Sequence, residues 1–568
     1  MKRILFMLLA FASLYATAQK PADFNKAVVN VVTYDAQGNV KNSAYGFFLG
    51  TSGEVVTTYQ AVKGAARLEI IDWKGQQAQV LRITGASSAY DIVRFTTDIP
   101  TKKLVGLTVA EDAAEQGAQC FQPFYTTNKK QQAEQAAITA ADPYNDYFYY
   151  TTTTPNDTKY VGCPLLNAQG QVVAIIQKNL LKDATAACAI DARCATALSI
   201  TPQSAFNSDL NNIPVAKQLP AGNEEDAFSY TYMLLHSQLD SALVMTTCAD
   251  FIAAYPENSK VYNERAVYYA SRGNYPQADA DLQQSIAMGG PNLADAYNTL
   301  STLMYNKMLY ATTAASDPWP QWTLQTALQA AEQAYTAMPQ PVYLLQQGQI
   351  LFSLQEFQHA YEKFQAVNAT ELANAQTFFY ASNALERAGG ETENVIALLD
   401  SAVNRLSTPY DKDAAPYLFS RAQHLQNAGQ HRRATADYTE YEKIVGPKNL
   451  TAYFYYLRMQ AEVGSRMYQQ ALDDAATAIA FAKDDAEKAD YLFERACLQL
   501  KVNLIDDCIA SIDALLALRP DDAEAHKVVG IAYGEKKEYA KARQYLGKAK
   551  ELGAEHTEML MEKYALQP

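Results

Sequence analysis

The first part of the chain carries short apolar runs separated by turn residues. From Ala27 onward, runs rich in Val, Ile and Tyr cover residues 28–34 and 44–49, and glycine-containing turns cover 35–39 and 51–53. Short strands that follow one another without an amphipathic helix between them are typical of an all-β barrel or sandwich. We therefore predict an all-β domain in this part of the chain.

The later part of the chain has a different period. A small residue recurs twelve positions after another small residue, and a bulky residue usually stands three positions before the second one. The copies are Ala266, Tyr275 and Ala278; Gly348, Phe357 and Ala360; Ala422, His431 and Ala434; Ala496, Ile505 and Cys508; and Gly530, Tyr539 and Ala542, with Met459, Tyr468 and Ala471 as a looser copy. Two antiparallel helices approach closely only where their side chains are small, and the bulky residue after the turn fills the remaining gap. The pattern predicts stacked helix–turn–helix units that form an all-α solenoid.

A polar segment separates the two patterns. Residues 201–226 are rich in Asn, Pro and Ser, a composition typical of a domain boundary. We place the β domain at 24–205, a linker at 206–226 and the helical repeats at 227–556.

The amino terminus has the pattern of an export signal. Two basic residues precede an apolar run from Ile4 to Tyr15, and Ala16-Thr17-Ala18 supplies the small residues that a signal peptidase prefers. This arrangement predicts a cleaved signal peptide at 1–18 rather than a membrane anchor. No later segment approaches the roughly 20 apolar residues that span a bilayer. We expect an exported protein, periplasmic or secreted, and leave association with the outer membrane open.

Composition limits the expected partners. The 568 residues include 47 Lys and Arg against 61 Asp and Glu, a formal net charge of −14. Such a charge repels nucleic acids and anionic membrane surfaces unless a local basic patch overrides it, and we find no such patch along the sequence. Proteins or peptides are therefore the expected partners, and nucleic acids are not.

Seven cysteines are few for this length, so we do not expect a disulfide scaffold. In an exported protein two pairs are candidates for disulfides, Cys188 with Cys194 and Cys120 with Cys163. No Cys or His pair has the spacing of a zinc site. We expect no metal and no other cofactor.

Three segments of the β domain carry a sharper resemblance. Residues 45–65 read YGFFLGTSGEVVTTYQAVKGA, residues 88–95 read SAYDIVRF, and residues 160–175 read YVGCPLLNAQGQVVAI. In this order they resemble segments of the trypsin-like serine proteases of the HtrA/Deg kind. The resemblance covers residues 24–205 and implies a chymotrypsin-like double β-barrel.

The resemblance ends where catalysis takes place in that family. It puts Gln60 at the position of the catalytic histidine, Asp91 at that of the aspartate that orients it, and Val161 at that of the nucleophilic serine. A glutamine amide does not accept a proton near neutral pH, and valine has no heteroatom to attack a carbonyl. All six histidines lie at or beyond position 236. We therefore predict a degenerate triad without catalytic residues.

Cys163 is an alternative nucleophile. It replaces a glycine beside the nucleophile position, where its side chain is expected to disturb the turn that presents the oxyanion-hole amides. A reactive thiolate needs a base or a cation to lower its pKa, and the β domain contains no histidine. A structural or disulfide-bonded cysteine is the favoured interpretation.

The helical part resembles tetratricopeptide repeats most closely over residues 261–288 and 522–553, and the step from Ala496 to Gly530 is that family's 34 residues. Such repeats usually bind peptide segments or other proteins, so the resemblance implies a binding groove lined by the first helix of each unit. The polar candidates for this groove are Asn263, Gln349, Gln423, Gln426 and Lys527.

These features together predict an exported, non-catalytic binding protein with an inactive double barrel and a tetratricopeptide solenoid. A protease-shaped barrel is expected to keep its cleft and to hold an extended peptide there by strand addition. Two alternatives stay open. One is an active peptidase that uses Cys163 or a nearby serine, and the other is a purely architectural barrel beside repeats that alone bind partners of the cell envelope.

Overall fold

The computed structural model describes residues 24–237, 240–310 and 319–565. The predicted signal peptide, 1–18, lies outside the described residues. The chain forms two compact units, Met1–Leu293 and Ala294–Pro568. Across the described residues, no helix combines the length and the apolar character that crossing a bilayer requires.

The first unit contains a closed six-stranded antiparallel barrel. Its strands pair in the order β1-β2-β3-β6-β5-β4, and they are β1 (Val28–Tyr34), β2 (Val40–Leu49), β3 (Glu54–Thr57), β4 (Arg67–Ile71), β5 (Gln77–Ser87) and β6 (Ile92–Thr97). Alternate side chains of a strand point to the same face, and Val29 and Val31 of β1 accordingly both enter the barrel core. Phe48, Val55 and Phe95 meet them there without exposure to solvent.

A second closed six-stranded antiparallel barrel follows. Its strands pair in the order β10-β11-β12-β9-β8-β7, and they are β7 (Gln119–Gln122), β8 (Glu134–Tyr144), β9 (Tyr147–Pro155), β10 (Pro164–Leu166), β11 (Val172–Gln177) and β12 (Ala186–Asp191). Val173 and Ile176 of β11 enter the core of this barrel. Val172 and Ile175 instead pack in a cluster that includes Phe47 of the first barrel. The two barrels therefore share an apolar interface.

Residues 206–226, which the sequence analysis treats as a linker, lie against the first barrel. The N–H of Ile83 in β5 donates to the carbonyl of Ala216 at 2.9 Å, and the N–H of Gln218 donates back to Ile83 at 2.9 Å. This strand-like pairing fixes the segment on the barrel. The barrels and this segment also carry three short helices, α1 (Tyr59–Val62), α2 (Arg193–Ala197) and α3 (Ser208–Asn211).

Four longer helices complete the first unit. They are α4 (Glu224–Leu235), α5 (Ser241–Ala254), α6 (Lys260–Ala270) and α7 (Tyr275–Met288). Tyr230 and Leu234 of α4 are buried in the core of the first barrel. Arg82 of β5 forms a two-bond ion pair with Asp250 of α5, at 2.6 and 2.7 Å. The first helices are thus packed directly on the β domain.

The second unit is helical, and its consecutive helices pack on one another. They are α8 (Leu293–Tyr310), α9 (Leu324–Ala337), α10 (Pro341–Ser353), α11 (Phe357–Asn368), α12 (Ala375–Arg387), α13 (Thr392–Val403), α14 (Ala415–Asn427), α15 (His431–Val445), α16 (Ala452–Gly464), α17 (Tyr468–Phe481), α18 (Asp485–Lys501), α19 (Ile505–Leu518), α20 (Ala523–Glu535), α21 (Tyr539–Glu551) and α22 (Thr557–Ala565). Two β-barrels followed by a helical solenoid are the predicted fold class, which is confirmed.

The small residues of the twelve-residue pattern lie where helices meet. A Cβ at Gly348 would stand 2.6 Å from the ring of Phe364, and one at Gly530 would stand 2.8 Å from Leu546. The alanines and the cysteine of the five strict copies are fully buried. The packing role predicted for the small residues is therefore confirmed.

Candidate functional site

The fold brings Gln60 and Asp91, two of the three positions predicted to form a degenerate triad, into direct contact. Gln60 lies in α1, the single helical turn after β3, and its side chain is exposed. Asp91 lies in the turn before β6. The main-chain N–H of Gln60 donates to Asp91 Oδ1 at 2.8 Å. The carboxylate that orients a histidine ring in the resembled family here bonds to the main chain.

Asp91 has the electrostatics of a partly desolvated carboxylate. Its φ is +50°, in the left-handed region that Asp tolerates better than most residues. Burial disfavours the charged form and raises the pKa of Asp91 to about 6, while bonds from the amides of Gln60 and Tyr59 partly oppose the rise. The Gln60 side chain carries no charge that would lower the pKa. Asp91 therefore takes up a proton closer to neutrality than an ordinary aspartate does.

Val161 stands at the end of a tight turn that packs on the first barrel. The 3₁₀ turn Thr158–Tyr160 precedes it, and Gly162 follows with φ +86°. Glycine is required at 162, because a Cβ there would lie 1.9 Å from the carbonyl oxygen of Tyr45. The N–H of Tyr45 donates to the carbonyl of Val161 at 3.4 Å. The turn is therefore held against β2 and presents an aliphatic side chain.

Two amides of this turn are bonded within the turn itself. The N–H of Lys159 donates to Asp157 Oδ1 at 3.0 Å, and the N–H of Val161 donates to the carbonyl of Thr158 at 3.3 Å. An oxyanion hole requires N–H groups that are directed at the developing negative charge. Because both donors already have acceptors, they are not organised for that role.

Cys163 is fully buried in the core of the second barrel. Burial raises the pKa of its thiol far above the ordinary value, whereas a nucleophilic cysteine needs access and a lowered pKa. This geometry opposes a nucleophilic role. All seven cysteines are free thiols, so neither candidate disulfide is formed. In the part of the chain that the structure describes, no three His, Cys, Asp or Glu side chains come together as metal ligands.

Polar groups that the sequence analysis missed support the Asp91 turn. Tyr149 in β9 donates to Gln177 Oε1 in β11 at 2.8 Å, and its hydroxyl lies 3.3 Å from Cys188 Sγ in β12. Gln177 Nε2 donates to the carbonyl of Tyr90, directly before Asp91, at 2.6 Å. The second barrel thus holds a turn of the first one. No signal in the sequence marks these residues, since only strand pairing brings them together.

The predicted groove residues are distributed over four helices. Buried or half-buried positions are taken by Asn263 in α6, Gln349 in α10, Gln423 and Gln426 in α14, and Lys527 in α20. The structure brings only Gln423 and Gln426 onto one helix. Among the described residues, the buried Oδ1 of Asn263 has no hydrogen-bond partner, and Lys527 forms an ion pair with Glu524.

Gln426 is connected through hydrogen bonds to Tyr456, which lines a cavity that the sequence did not predict. Its Nε2 donates to Gln460 Oε1 at 3.3 Å, and Gln460 Nε2 donates to the hydroxyl of Tyr456 at 2.6 Å. Tyr456 lines a cavity of about 480 Å³, together with two further tyrosines, Phe493, four acidic residues and Arg519. Aromatic faces beside carboxylates suit a cationic or aromatic group of a ligand. The abundance of tyrosine in the sequence, 38 residues, was the available signal.

Three solved structures are similar to part of this chain. One is the serine endoprotease from Yersinia pestis, with 17% identity and a TM-score of 0.26; the match covers 32% of this chain and 65% of that one, under two thirds of its length. Two structures of Rv3671c in an inactive form, one of them from M. tuberculosis H37Rv, match with 18% identity and TM-scores of 0.26 and 0.25. These matches cover 32% and 31% of this chain and 91% and 90% of the Rv3671c chains.

No protein-family model and no curated protein sequence matches the chain. The fold assignment rests on the strand pairing described above. The first part of the chain is a trypsin-like double β-barrel.

Proposed function

We propose that this chain is an exported, non-catalytic binding protein whose double barrel and helical repeats hold protein or peptide partners. The observation that carries the proposal is the chemistry of the degenerate centre. Gln60 and Val161 supply neither a base nor a nucleophile, and Asp91 is bonded to the main chain. Acyl transfer requires an attacking atom and a group that accepts its proton.

The surroundings of the centre support binding without turnover. The amides of Lys159 and Val161 are engaged inside the turn, and the thiol of Cys163 is buried. The same turn is nevertheless packed firmly on β2 through Tyr45 and Gly162. A turn that is held on β2 in this way and lacks reactive atoms is suited to contacting a peptide without cleaving it.

The helical part supports the proposal independently of the barrels. Its small-residue pattern is that of stacked repeats of the tetratricopeptide kind, which usually bind peptides or proteins. The cavity beside Tyr456 offers aromatic walls, and Tyr453 at its margin is 54% exposed. A partner is therefore expected to contact this cavity.

The absence of turnover is tested with the purified full chain. We expect no hydrolysis of casein or fluorogenic peptides and no labelling by a fluorophosphonate probe. The peptidase alternative would be favoured by activity that iodoacetamide abolishes and that is lost in Cys163→Ala but kept in Cys120→Ala. Cys120 is the matched control because it is buried in the same core.

Partner binding is tested by placing a photo-crosslinking amino acid at single positions of the full chain and adding a cell-envelope extract. We expect adducts from Val161 in the barrel cleft and from Tyr453 in the helical part, identified by mass spectrometry. Val40, which is 62% exposed at the far end of β2 from Tyr45, serves as the control. Adducts from Tyr453 alone would favour the purely architectural barrel, and equal adducts from all three positions would contradict specific binding.

A further inference from the structure

The cavity beside Tyr456 is lined by the first helices of three consecutive helix pairs, and we call it the Tyr456 cavity. Tyr456 belongs to α16, while Glu494 lines the cavity from α18 and Glu524 lines it from α20. Two of these helices also carry the first small residue of a copy of the repeating pattern, Ala496 in α18 and Gly530 in α20. The cavity therefore lies on the set of helices for which the sequence predicts a binding groove.

Three tyrosines form an aromatic wall in the Tyr456 cavity. The ring centroid of Tyr456 lies 6.3 Å from that of Tyr453 and 5.5 Å from that of Tyr491. Tyr491 is buried, and its hydroxyl donates to Glu487 Oε1 at 3.0 Å. Tyr453, in contrast, is 54% exposed. The wall is thus anchored at Tyr491 and accessible at Tyr453, where a ring face is available to attract a cation.

Two of the four carboxylates that line the Tyr456 cavity are paired within the protein. Asp490 Oδ1 accepts from Nη1 of Arg519, the basic residue of the lining, at 2.7 Å. Glu524 forms an ion pair with Lys527 in the same helix. These two cations therefore compensate two of the negative charges.

The other two carboxylates of the lining, Glu494 and Asp522, have no such cation. Among the described residues, neither of them takes part in an ion pair. Asp522 is the N-cap of α20 and accepts the N–H of Ala525 at 2.9 Å. Burial and, after it, the nearby carboxylate of Glu494 raise the pKa of the Tyr456 hydroxyl. Two negative charges thus lie beside the aromatic wall, and a positively charged group complements both of these features.

We propose that the Tyr456 cavity binds a basic side chain of a partner peptide, with its charged group beside Glu494 and Asp522 and its apolar stem along the tyrosine rings. This inference rests on the proposed function of the helical part as a binder of peptides or proteins. An arginine suits the cavity well, because a guanidinium stacks on aromatic rings and donates to carboxylates through a planar fork. The volume of about 480 Å³ lies within the range of ligand-binding cavities.

The test uses mixtures of blocked heptapeptides that carry an uncharged fluorescent dye. The central residue is Arg, citrulline or Glu, and the other positions are mixtures of uncharged residues. Citrulline has nearly the shape of arginine but no charge. The full chain carries the photo-crosslinking amino acid benzoylphenylalanine at Tyr453, so that peptides at the cavity are captured. The yield is measured by in-gel fluorescence as a function of peptide concentration.

Two double variants with the same change in charge are compared in this background. Glu494→Gln/Asp522→Asn removes the two negative charges that lack a cation, and asparagine keeps a side-chain oxygen for the N-cap of α20. Glu371→Gln/Asp484→Asn is the matched control, because both residues are exposed outside the cavity lining and Asp484 is the N-cap of α18. A peptide attracted only by the net charge of −14 would lose equally in both variants.

We expect the Arg mixture to reach half of its maximum yield at about one tenth of the concentration that the citrulline mixture needs, as two partly exposed ion pairs imply. The Glu mixture should be captured least. Glu494→Gln/Asp522→Asn should abolish the preference for Arg, whereas the control variant should keep it. Rising salt should weaken capture of the Arg mixture most.

Equal capture of the three mixtures, or equal losses in the two double variants, would overturn the inference and leave peptide binding at the cavity standing. If no mixture is captured although the same position forms adducts with a protein of the envelope extract, the inference is also overturned, and the proposed function stands. If Tyr453 captures neither peptides nor proteins, the proposed function of the helical part fails at this cavity together with the inference.

Discussion

Asp91 in the barrels and three aspartates in the helical part are stabilised by different partners. In the barrels, Asp91 is bonded by main-chain amides and its pKa is raised to about 6. In the helical part, three aspartates each accept two bonds from an arginine sixteen residues earlier. These pairs are Arg265 with Asp281, Arg421 with Asp437, and Arg458 with Asp474, with bond lengths of 2.6–2.8 Å. A bidentate arginine opposes the effect of burial on a carboxylate more strongly than neutral amides do, and burial still raises the pKa of Asp437 and of Asp474.

The arginine pairs have a structural use, whereas Asp91 is matched to a catalytic aspartate by resemblance alone. Each of the three arginines directly precedes the first residue of a copy of the repeating pattern, as Arg421 precedes Ala422, and each aspartate follows the last residue of that copy by three positions, as Asp437 follows Ala434. The pair therefore joins the two helices of one repeat. Asp91 instead occupies the position that orients a histidine in the resembled family, and Gln60 provides no cation to match it.

The largest expected effect comes from breaking an arginine pair. Arg458 is 8% exposed and bonds Asp474 and Glu442. Replacing it in Arg458→Met leaves these carboxylates buried without a cation, which should lower the local unfolding free energy by about 3–5 kcal/mol. Native-state hydrogen exchange of peptides from residues 452–481 of the full chain measures the change.

The control for this variant is Arg432→Met, at an exposed arginine of the neighbouring repeat. It should change the unfolding free energy of the same peptides by less than about 0.5 kcal/mol. Similar small losses in both variants would show that the arginine pairs do not join the helices, and the comparison with Asp91 would then lose its basis.

A smaller effect is expected at Asp91, with a defined pH dependence. The pKa of Asp91 in the folded protein, about 6, exceeds the ordinary aspartate value of 3.8, so the folded barrel holds the proton more tightly than the unfolded chain. The resulting stability is present below pH 4 and is lost as the pH rises through 6. For a carboxyl group fully shielded from solvent, this rise in pKa would contribute roughly 3 kcal/mol to the free energy of unfolding. Because Asp91 is partly exposed, we expect a contribution of about 1–2 kcal/mol.

Asp91→Asn removes this titration, so the stability of the variant relative to wild type should increase between pH 4 and pH 7. Urea unfolding followed by the fluorescence of Trp73, in a Trp319→Phe/Trp322→Phe background, measures the difference at four pH values. A difference that does not change with pH would mean that Asp91 is solvated like an ordinary aspartate. The structural account of the degenerate centre would then be wrong at that point.

The smallest expected effect is that of restoring the side chains of the triad. Gln60→His/Val161→Ser supplies a base and a hydroxyl, yet the amides of Lys159 and Val161 keep their acceptors within the turn. We expect fluorophosphonate labelling of this double variant to stay at the level of wild type. Addition of Asp157→Ala, which frees the Lys159 amide, is the informative third change. If Gln60→His/Val161→Ser were labelled without the Asp157→Ala change, the centre would lack only the histidine and serine side chains, and the engaged amides would not prevent catalysis.

Local patterns were sufficient to predict much of the fold. Strand-sized apolar runs and turns predicted the all-β part, and the spacing of small residues such as Gly348 and Gly530 predicted close helix contacts. The arginine pairs also had a signal in the sequence, since an Arg and an Asp sixteen residues apart recur at fixed positions of the pattern. The Arg–Asp spacing is a pattern of charged residues, whereas the predicted repeats were based on the spacing of small and bulky residues.

Other features had no local signal. The bond between the Gln60 amide and Asp91 joins positions 31 residues apart, and Gln177 reaches Tyr90 across 87 residues. Lys26, Lys74 and Lys129, which surround the ring of Trp73, come from three segments that are adjacent only in the folded barrels. Such contacts depend on strand pairing and loop packing rather than on neighbouring residues.

Residue identity alone established that residues 24–205 contain no histidine and that position 161, matched to a nucleophile by resemblance, carries valine, because no fold can supply an atom that the side chain does not have. The alternation of strands and the helical period also followed from the chain, since both depend on spacing over a few residues. Closure of the barrels decided which polar groups lie close together. As a result, the Lys159 amide is bonded within its turn, and Asp91 accepts a bond from the main chain. Closure also places three lysines around Trp73. These outcomes require the tertiary structure, because the energy of a charge depends on partners that are distant along the chain.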